Sequence, residues 1–122
     1  MAVFGTGRAG RIHIPNVIAN PNTTLIAIVD VANAPALPDE IATTIPADCA
    51  RVDPTDAQAL NQLLERSDLD AVLIASPTGF HTEQVTLCLN KGKHVFVEKP
   101  LAETVGDINA CFDAMEKSGK IL

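Results

Sequence analysis

The pattern that most restricts the fold is an alternation between two hydrophobic periods. Short apolar runs at residues 2–4, 25–29, 49–52, 71–75 and 94–97, with a truncated one at 120–122, read as strands. Between them, apolar residues recur at helical spacing. Ala57, Leu60, Leu63 and Leu64 share one helical face; Val85, Cys88 and Leu89 share a second; Ile108, Cys111, Phe112 and Met115 share a third. The run Ala71-Val72-Leu73-Ile74-Ala75 has no polar face, the pattern of a strand covered on both sides. This alternation specifies an α/β fold: a Rossmann-type doubly wound parallel sheet in three α/β/α layers, with right-handed crossovers. The strand order is 3-2-1-4-5-6 if the sixth strand forms.

Boundary residues support the division. Thr104-x-x-Asp107 resembles a capping box with Asp in place of Glu, and Gly119 and Gly92 are placed to close the helices before them. Two places fit less well. Four of the eight prolines fall within residues 31–54, which predicts a short or irregular helix after the second strand. Pro15 falls inside the first helix and is expected to kink it or shift its start.

Composition narrows the function classes. At 122 residues and 47% apolar content the chain suits one domain with a real core. A formal charge of −6 argues against a nucleic-acid or anionic-membrane partner. No apolar run reaches membrane-spanning length. Cys49, Cys88 and Cys111 are widely spaced and odd in number, so they read as free thiols in a reducing, cytoplasmic compartment, with no metal site.

The first strand runs into "VFGTGRAG", which supplies Gly5, Gly7 and Gly10 as G-x-G-x-x-G. Gly5 permits a tight turn, Gly7 lets the backbone approach a pyrophosphate, and Gly10 lets the helix pack on the strand. Arg8 and Ala9 open a helix whose free N–H groups favour phosphate. Asp30 follows Gly10 by twenty residues, at the end of the second strand, where a carboxylate accepts from the adenosine ribose. The plainer alternatives are a structural glycine turn and, for Arg8, a solvated helix-start residue. A carboxylate at position 30, with no arginine after it, favours NAD over NADP.

Ligands of an open parallel sheet sit beyond the carboxyl ends of its strands. Two unusual segments reach that edge: Ser76-Pro77-Thr78-Gly79-Phe80-His81 and Glu98-Lys99-Pro100. Together "GTGRAG", "ASPTGFH" and "GKHVFVEKPLAET" resemble the nucleotide-binding domain of the Gfo/Idh/MocA oxidoreductases, the glucose–fructose oxidoreductase and inositol dehydrogenase family. The resemblance covers essentially the whole chain, and E-K-P after a buried strand is its most specific part.

It implies that Lys99 is the active-site lysine, stabilising charge on a substrate hydroxyl as hydride leaves for NAD. Pro100 then turns the chain away, and Glu98 holds the loop or a ribose. Pro77 and Thr78 shape the wall under the nicotinamide, unless they form a plain turn. His81 matches a histidine the family often carries, either touching the cofactor region or satisfying nearby backbone. For Glu98 and Lys99 the bland reading is a surface pair ending a strand, and His13 and His94 read as structural.

The resemblance further implies that residues 1–122 are the NAD-binding domain of a larger protein, often homo-oligomeric. Its sugar or inositol-like polyol would be held by a second domain, absent from this sequence, which would also supply the acid/base residues. Two functions remain in view: the cofactor domain of a polyol dehydrogenase, or a dinucleotide-binding module without chemistry of its own.

Overall fold

The computed structural model describes residues 1–122 and contains five strands, all paired in parallel. In chain order the elements are β1 (Ala2–Phe4), α1 (Arg8–Ala19), β2 (Ala27–Val29), α2 (Asp39–Ala42), β3 (Ala50–Val52), α3 (Ala57–Glu65) and β4 (Ala71–Ile74). A short 3-10 turn (Thr78–Phe80) leads into α4 (His81–Asn90), β5 (His94–Val97) and α5 (Val105–Ser118). The sheet order is β3-β2-β1-β4-β5. The strand order therefore reverses beside β1, where Phe4 pairs with Val29 on one side and Ile74 on the other. A crevice opens there, beyond the carboxyl ends of β1 and β4.

Alternation along each strand sends residues to two cores. Ala2, Phe4, Val29, Val72, Ile74 and Val95 face Leu63 and Leu64 of α3, Val85, Cys88 and Leu89 of α4, and Cys111 and Ala114 of α5. Val3, Ile28 and Leu73 face Ile14 and Val17 of α1, with Leu37 and Ile41 packed at the margin. Each fully buried Leu, Ile or Val contributes about 1.5–3 kcal/mol of transfer free energy, so both helical layers are held chiefly by these side chains. Both Cys88 and Cys111 are buried, Cys49 is half-buried, and all three are free thiols. Burial pushes the Cys88 thiol up to about 12, which leaves it inert.

Most boundaries follow the sequence pattern. Asp56 caps α3 by accepting from the Ala59 N–H at 3.0 Å, and Thr104 caps α5 by accepting from the Asp107 N–H at 3.1 Å. The Asp107 carboxylate reaches only the Thr104 hydroxyl, at 2.7 Å; Asp is one methylene shorter than the Glu that normally reaches the backbone. Gly92 and Gly119, both at positive φ, close α4 and α5. The proline-rich segment carries only the four-residue α2.

Two expectations are corrected. Residues 120–122 carry no strand of their own: the Val95 N–H donates to the Ile121 carbonyl, and the Ile121 N–H donates to the His94 ring. Pro15 does not shift the start of α1, which begins at Arg8 directly after the glycine turn and runs through the proline. The cost is one absent bond to the Arg11 carbonyl. No helix is long and apolar enough to cross a membrane.

Candidate functional site

Four connections meet at the carboxyl edge: the glycine turn after β1, Asp30 after β2, Ser76–Phe80 after β4 and Glu98–Pro100 after β5. Two of the three glycines are required by the protein itself. Gly5 has φ +91°, and a Cβ there would lie 2.7 Å from the Ala75 carbonyl oxygen at the end of β4. A Cβ on Gly10 would collide with the Gly5 carbonyl, so glycine is what lets α1 pack against the turn. Gly7 differs. It has ordinary extended geometry, φ −66° and ψ −165°, and nothing lies within 4 Å of where its Cβ would be. No intramolecular contact requires glycine at position 7; an approaching ligand would.

The start of α1 fits an anion. Gly7 offers no capping side chain and the first turn holds no acidic residue, so the first N–H groups stay free and carry the positive end of the helix dipole. They border a cavity of about 390 Å³ lined by Gly5, Thr6, Gly7, Arg8, Arg11, Asp30, Ser76 and Pro77, among others. On one side lies an apolar cavity of about 410 Å³ bordered by Phe4, Val29, Leu60, Phe80 and Leu87, with Asp30 at its margin. On the other lies a polar cavity of about 380 Å³ that collects Arg8, Ala9, His13, Ser76, Pro77, Thr78, His81, Glu98 and Lys99. The three suit the phosphates, an aromatic base and a second nucleoside respectively. The residues present therefore fit a dinucleotide.

Individual side chains are held tightly. Asp30 Oδ2 accepts from both the Thr6 N–H (2.6 Å) and the Thr6 hydroxyl (2.5 Å), and Oδ1 accepts from the Val31 N–H (2.8 Å). Arg11 braces the same turn, donating from Nε to the Thr6 carbonyl and from Nη2 to the Ala36 carbonyl. Asp53, at the end of β3, accepts from the Ala32 N–H and from both donors of Thr55. The Thr55 bonds foremost, with that of Ala32, hold its carboxyl below the usual range.

His81 is 1% exposed. Its Nδ1 lies 2.9 Å from the Pro100 carbonyl and its Nε2 2.8 Å from the Ser76 carbonyl, so the ring sits between the loops after β4 and β5. A neutral ring donates one of these bonds, the tautomer deciding which. Beneath it, Ser76 Oγ donates to Gln84 Oε1 at 2.5 Å.

Glu98 turns away from its neighbour. Its Oε1 pairs with His13 Nε2 at 2.5 Å, while Oε2 accepts only the Lys99 backbone N–H, at 3.2 Å. The His13 bond is the main reason that the Glu98 carboxyl sits below its ordinary value. The His13 ring also meets Phe96 edge-on, with centroids 5.7 Å apart. Lys99 is exposed, and its ammonium makes no hydrogen bond or ion pair.

The structure thus brings Gly5, Gly7, Arg8, Ala9, Asp30, Ser76, Pro77, Thr78, His81, Glu98 and Lys99 to one edge, with Gly10 behind them as the packing glycine. Sequence reasoning missed Thr6 and Arg11 as the braces of the turn, Asp53, the His13 partner of Glu98, and Leu60, Phe80 and Leu87 around the apolar cavity. These depend on pairings between residues such as 6 and 30 or 13 and 98, for which no local spacing gives a signal.

The whole chain resembles known proteins. The family model described as "Oxidoreductase family, NAD-binding Rossmann fold" matches residues 1–122. A myo-inositol 2-dehydrogenase of Thermotoga maritima is 34% identical over 122 residues, all of this chain and 34% of that protein. A 4-carboxy-2-hydroxymuconate-6-semialdehyde dehydrogenase of a Sphingobium species is 32% identical over 99% of this chain and 36% of that protein. The crystal structure of scyllo-inositol dehydrogenase from Lactobacillus casei, with bound NAD(H) and scyllo-inositol, superposes with a TM-score of 0.75. It is 29% identical, over 98% of this chain and 33% of that one. The chain spans about a third of the length of these relatives. It belongs to the Gfo/Idh/MocA oxidoreductase family, as an NAD-binding Rossmann-fold domain.

Proposed function

We propose that the chain holds NAD along the carboxyl edge of its sheet and places Lys99 for the oxidation of a hydroxyl on a sugar or cyclic polyol. The substrate itself would be held by a further portion of a longer protein. The observation that carries this reading is the separation of Glu98 from Lys99. Adjacent opposite charges readily pair, yet Glu98 is engaged by His13 while the Lys99 ammonium stays free in the same cavity as the helix start.

Gly7 and the first N–H groups of α1 would receive the phosphates, and Asp30 would accept from a ribose hydroxyl. The bound nicotinamide supplies the hydride acceptor. Lys99 donates to the substrate oxygen and stabilises the negative charge that develops on it, a task suited to a compact ammonium. NAD is preferred over NADP because Asp30, Asp39 and Asp53 line the cavity of about 620 Å³ beyond the ribose position, against a single Arg51. A 2′-phosphate would meet net negative charge there.

The polyol class is supported by the inositol relatives, while the muconate-semialdehyde relative makes it the first class to assay rather than the sole one. The formal charge of −6 supports a chain with no nucleic-acid partner. Free thiols fit a cytoplasmic setting, and a homo-oligomeric whole protein follows from the family resemblance. The test uses a longer protein that contains this chain and reduces NAD in the presence of a polyol. There, Lys99→Ala lowers turnover by roughly 10²-fold or more with little change in NAD affinity. Lys99→Arg does not restore full turnover, because a planar fork replaces a point charge. The 122-residue chain alone oxidises no polyol. Unchanged turnover in Lys99→Ala would reduce Glu98-Lys99-Pro100 to a strand terminus.

A further inference from the structure

We propose that Thr6 is a specificity-determining residue for the cofactor: its hydroxyl locks the Asp30 carboxylate in one orientation, and that lock sharpens the choice of NAD over NADP. The inference rests on the dinucleotide reading above.

An ionised carboxylate accepts at about four sites. Three are filled within the protein: Thr6 N–H and Thr6 Oγ1 both donate to Oδ2, and the Val31 N–H donates to Oδ1. The free acceptor position is therefore on Oδ1. Thr6 is 5% exposed, so water competes poorly for its hydroxyl. Its own position is fixed from the other side by Arg11, whose Nε donates to the Thr6 carbonyl at 3.1 Å. The turn, the end of β2 and the segment at Ala36 thus interlock around one carboxylate.

Two consequences follow, with opposite effects on the two cofactors. A ribose 2′-hydroxyl meets an acceptor already oriented, so little conformational freedom is lost on binding. A 2′-phosphate brings negative charge to the same oxygen and no proton to donate at neutral pH. A freely rotating carboxylate would turn away and soften the repulsion. With both Thr6 donors on Oδ2, Asp30 cannot turn without breaking two charge-assisted hydrogen bonds. Discrimination against phosphate then depends on the Thr6 hydroxyl as well as on the negative charge that Asp30, Asp39 and Asp53 place there.

Thr6→Val removes the hydroxyl while keeping the branched shape and the backbone N–H. We expect the ratio of NAD to NADP affinity, measured by calorimetry on the 122-residue chain, to fall by roughly threefold to tenfold. NAD weakens and NADP holds or gains. Thr6→Ser, which keeps the donor, restores the unaltered chain's ratio. A ratio taken within one variant does not depend on the fraction folded, and Thr6→Ala gives the same reading if valine is not accommodated. A ratio that Thr6→Val and Thr6→Ala leave unchanged, in a chain that does prefer NAD, overturns the assignment of Thr6 alone. A loss of preference that Thr6→Ser shares overturns it too, since the hydroxyl would then not be the cause. An unaltered chain that binds neither cofactor removes the dinucleotide reading itself.

Discussion

Replacing Gly7 by alanine tests whether this glycine serves a ligand or the fold. The backbone at Gly7 is in an extended conformation open to any residue, and the new Cβ would find nothing within 4 Å. Alanine is a poorer N-cap than glycine by about 0.5–1 kcal/mol, but it restricts the unfolded chain by about 0.4–1 kcal/mol. The two nearly cancel, so the melting temperature should stay within about 3 °C of the unaltered chain. Binding should behave differently. A methyl group facing the phosphate cavity holds a pyrophosphate off the helix start. Losing two hydrogen bonds to a charged group, at about 1.5 kcal/mol each, weakens NAD by about 3 kcal/mol, or roughly 100-fold. Gly10→Ala is the contrasting control, because its Cβ would collide with the Gly5 carbonyl. It should cost about 1–3 kcal/mol or more in stability before any ligand is added. Scanning calorimetry and NAD titration on the three proteins read both effects. If Gly7→Ala binds NAD within threefold of the unaltered chain, no phosphate approaches there and the cofactor assignment of the turn is wrong.

Asp30→Ala should act twice. It weakens NAD by about 1.5–3 kcal/mol through the lost ribose contact and improves the relative standing of NADP; it also destabilises folding by about 1–3 kcal/mol, since the buried Thr6 donors lose their acceptor. Denaturant unfolding and calorimetry separate the two, and an unchanged midpoint would deny the structural half. Acid should expose the depressed carboxylates. Glu98 lies below its ordinary 4.5 because of His13, and Asp68 is lowered from 3.8 to about 2 by the Arg66 fork. Each has a folded value below its unfolded one, so its contribution is complete above the ordinary value and is lost as pH falls through the folded value. Stability should therefore decline from about pH 4.5 towards pH 2, and Glu98→Gln should flatten the upper part of that decline; identical urea midpoints against pH for the two proteins would show that the His13 pair contributes nothing.

Where the physics is local, the sequence was sufficient. The uniform apolar run at 71–75 dictates a covered strand, and the 3.6-residue spacing of Leu60, Leu63 and Leu64 dictates a helix. Those rules relate residues a few positions apart, or motifs whose fold context is already implied. Thr104 at a helix start and Gly119 at its end were legible for the same reason: a cap satisfies backbone groups within one turn.

Only the tertiary structure decided which partner each polar side chain takes. Asp30 is read from sequence as a ribose acceptor, yet it also holds Thr6, twenty-four residues away. His13 reads as a structural helix residue and proves to be the partner of Glu98, eighty-five positions on, leaving Lys99 unpaired. Periodicity fixes which face of an element is buried, whereas the choice among competing hydrogen-bond partners depends on distances set only when the sheet order β3-β2-β1-β4-β5 brings the loops together.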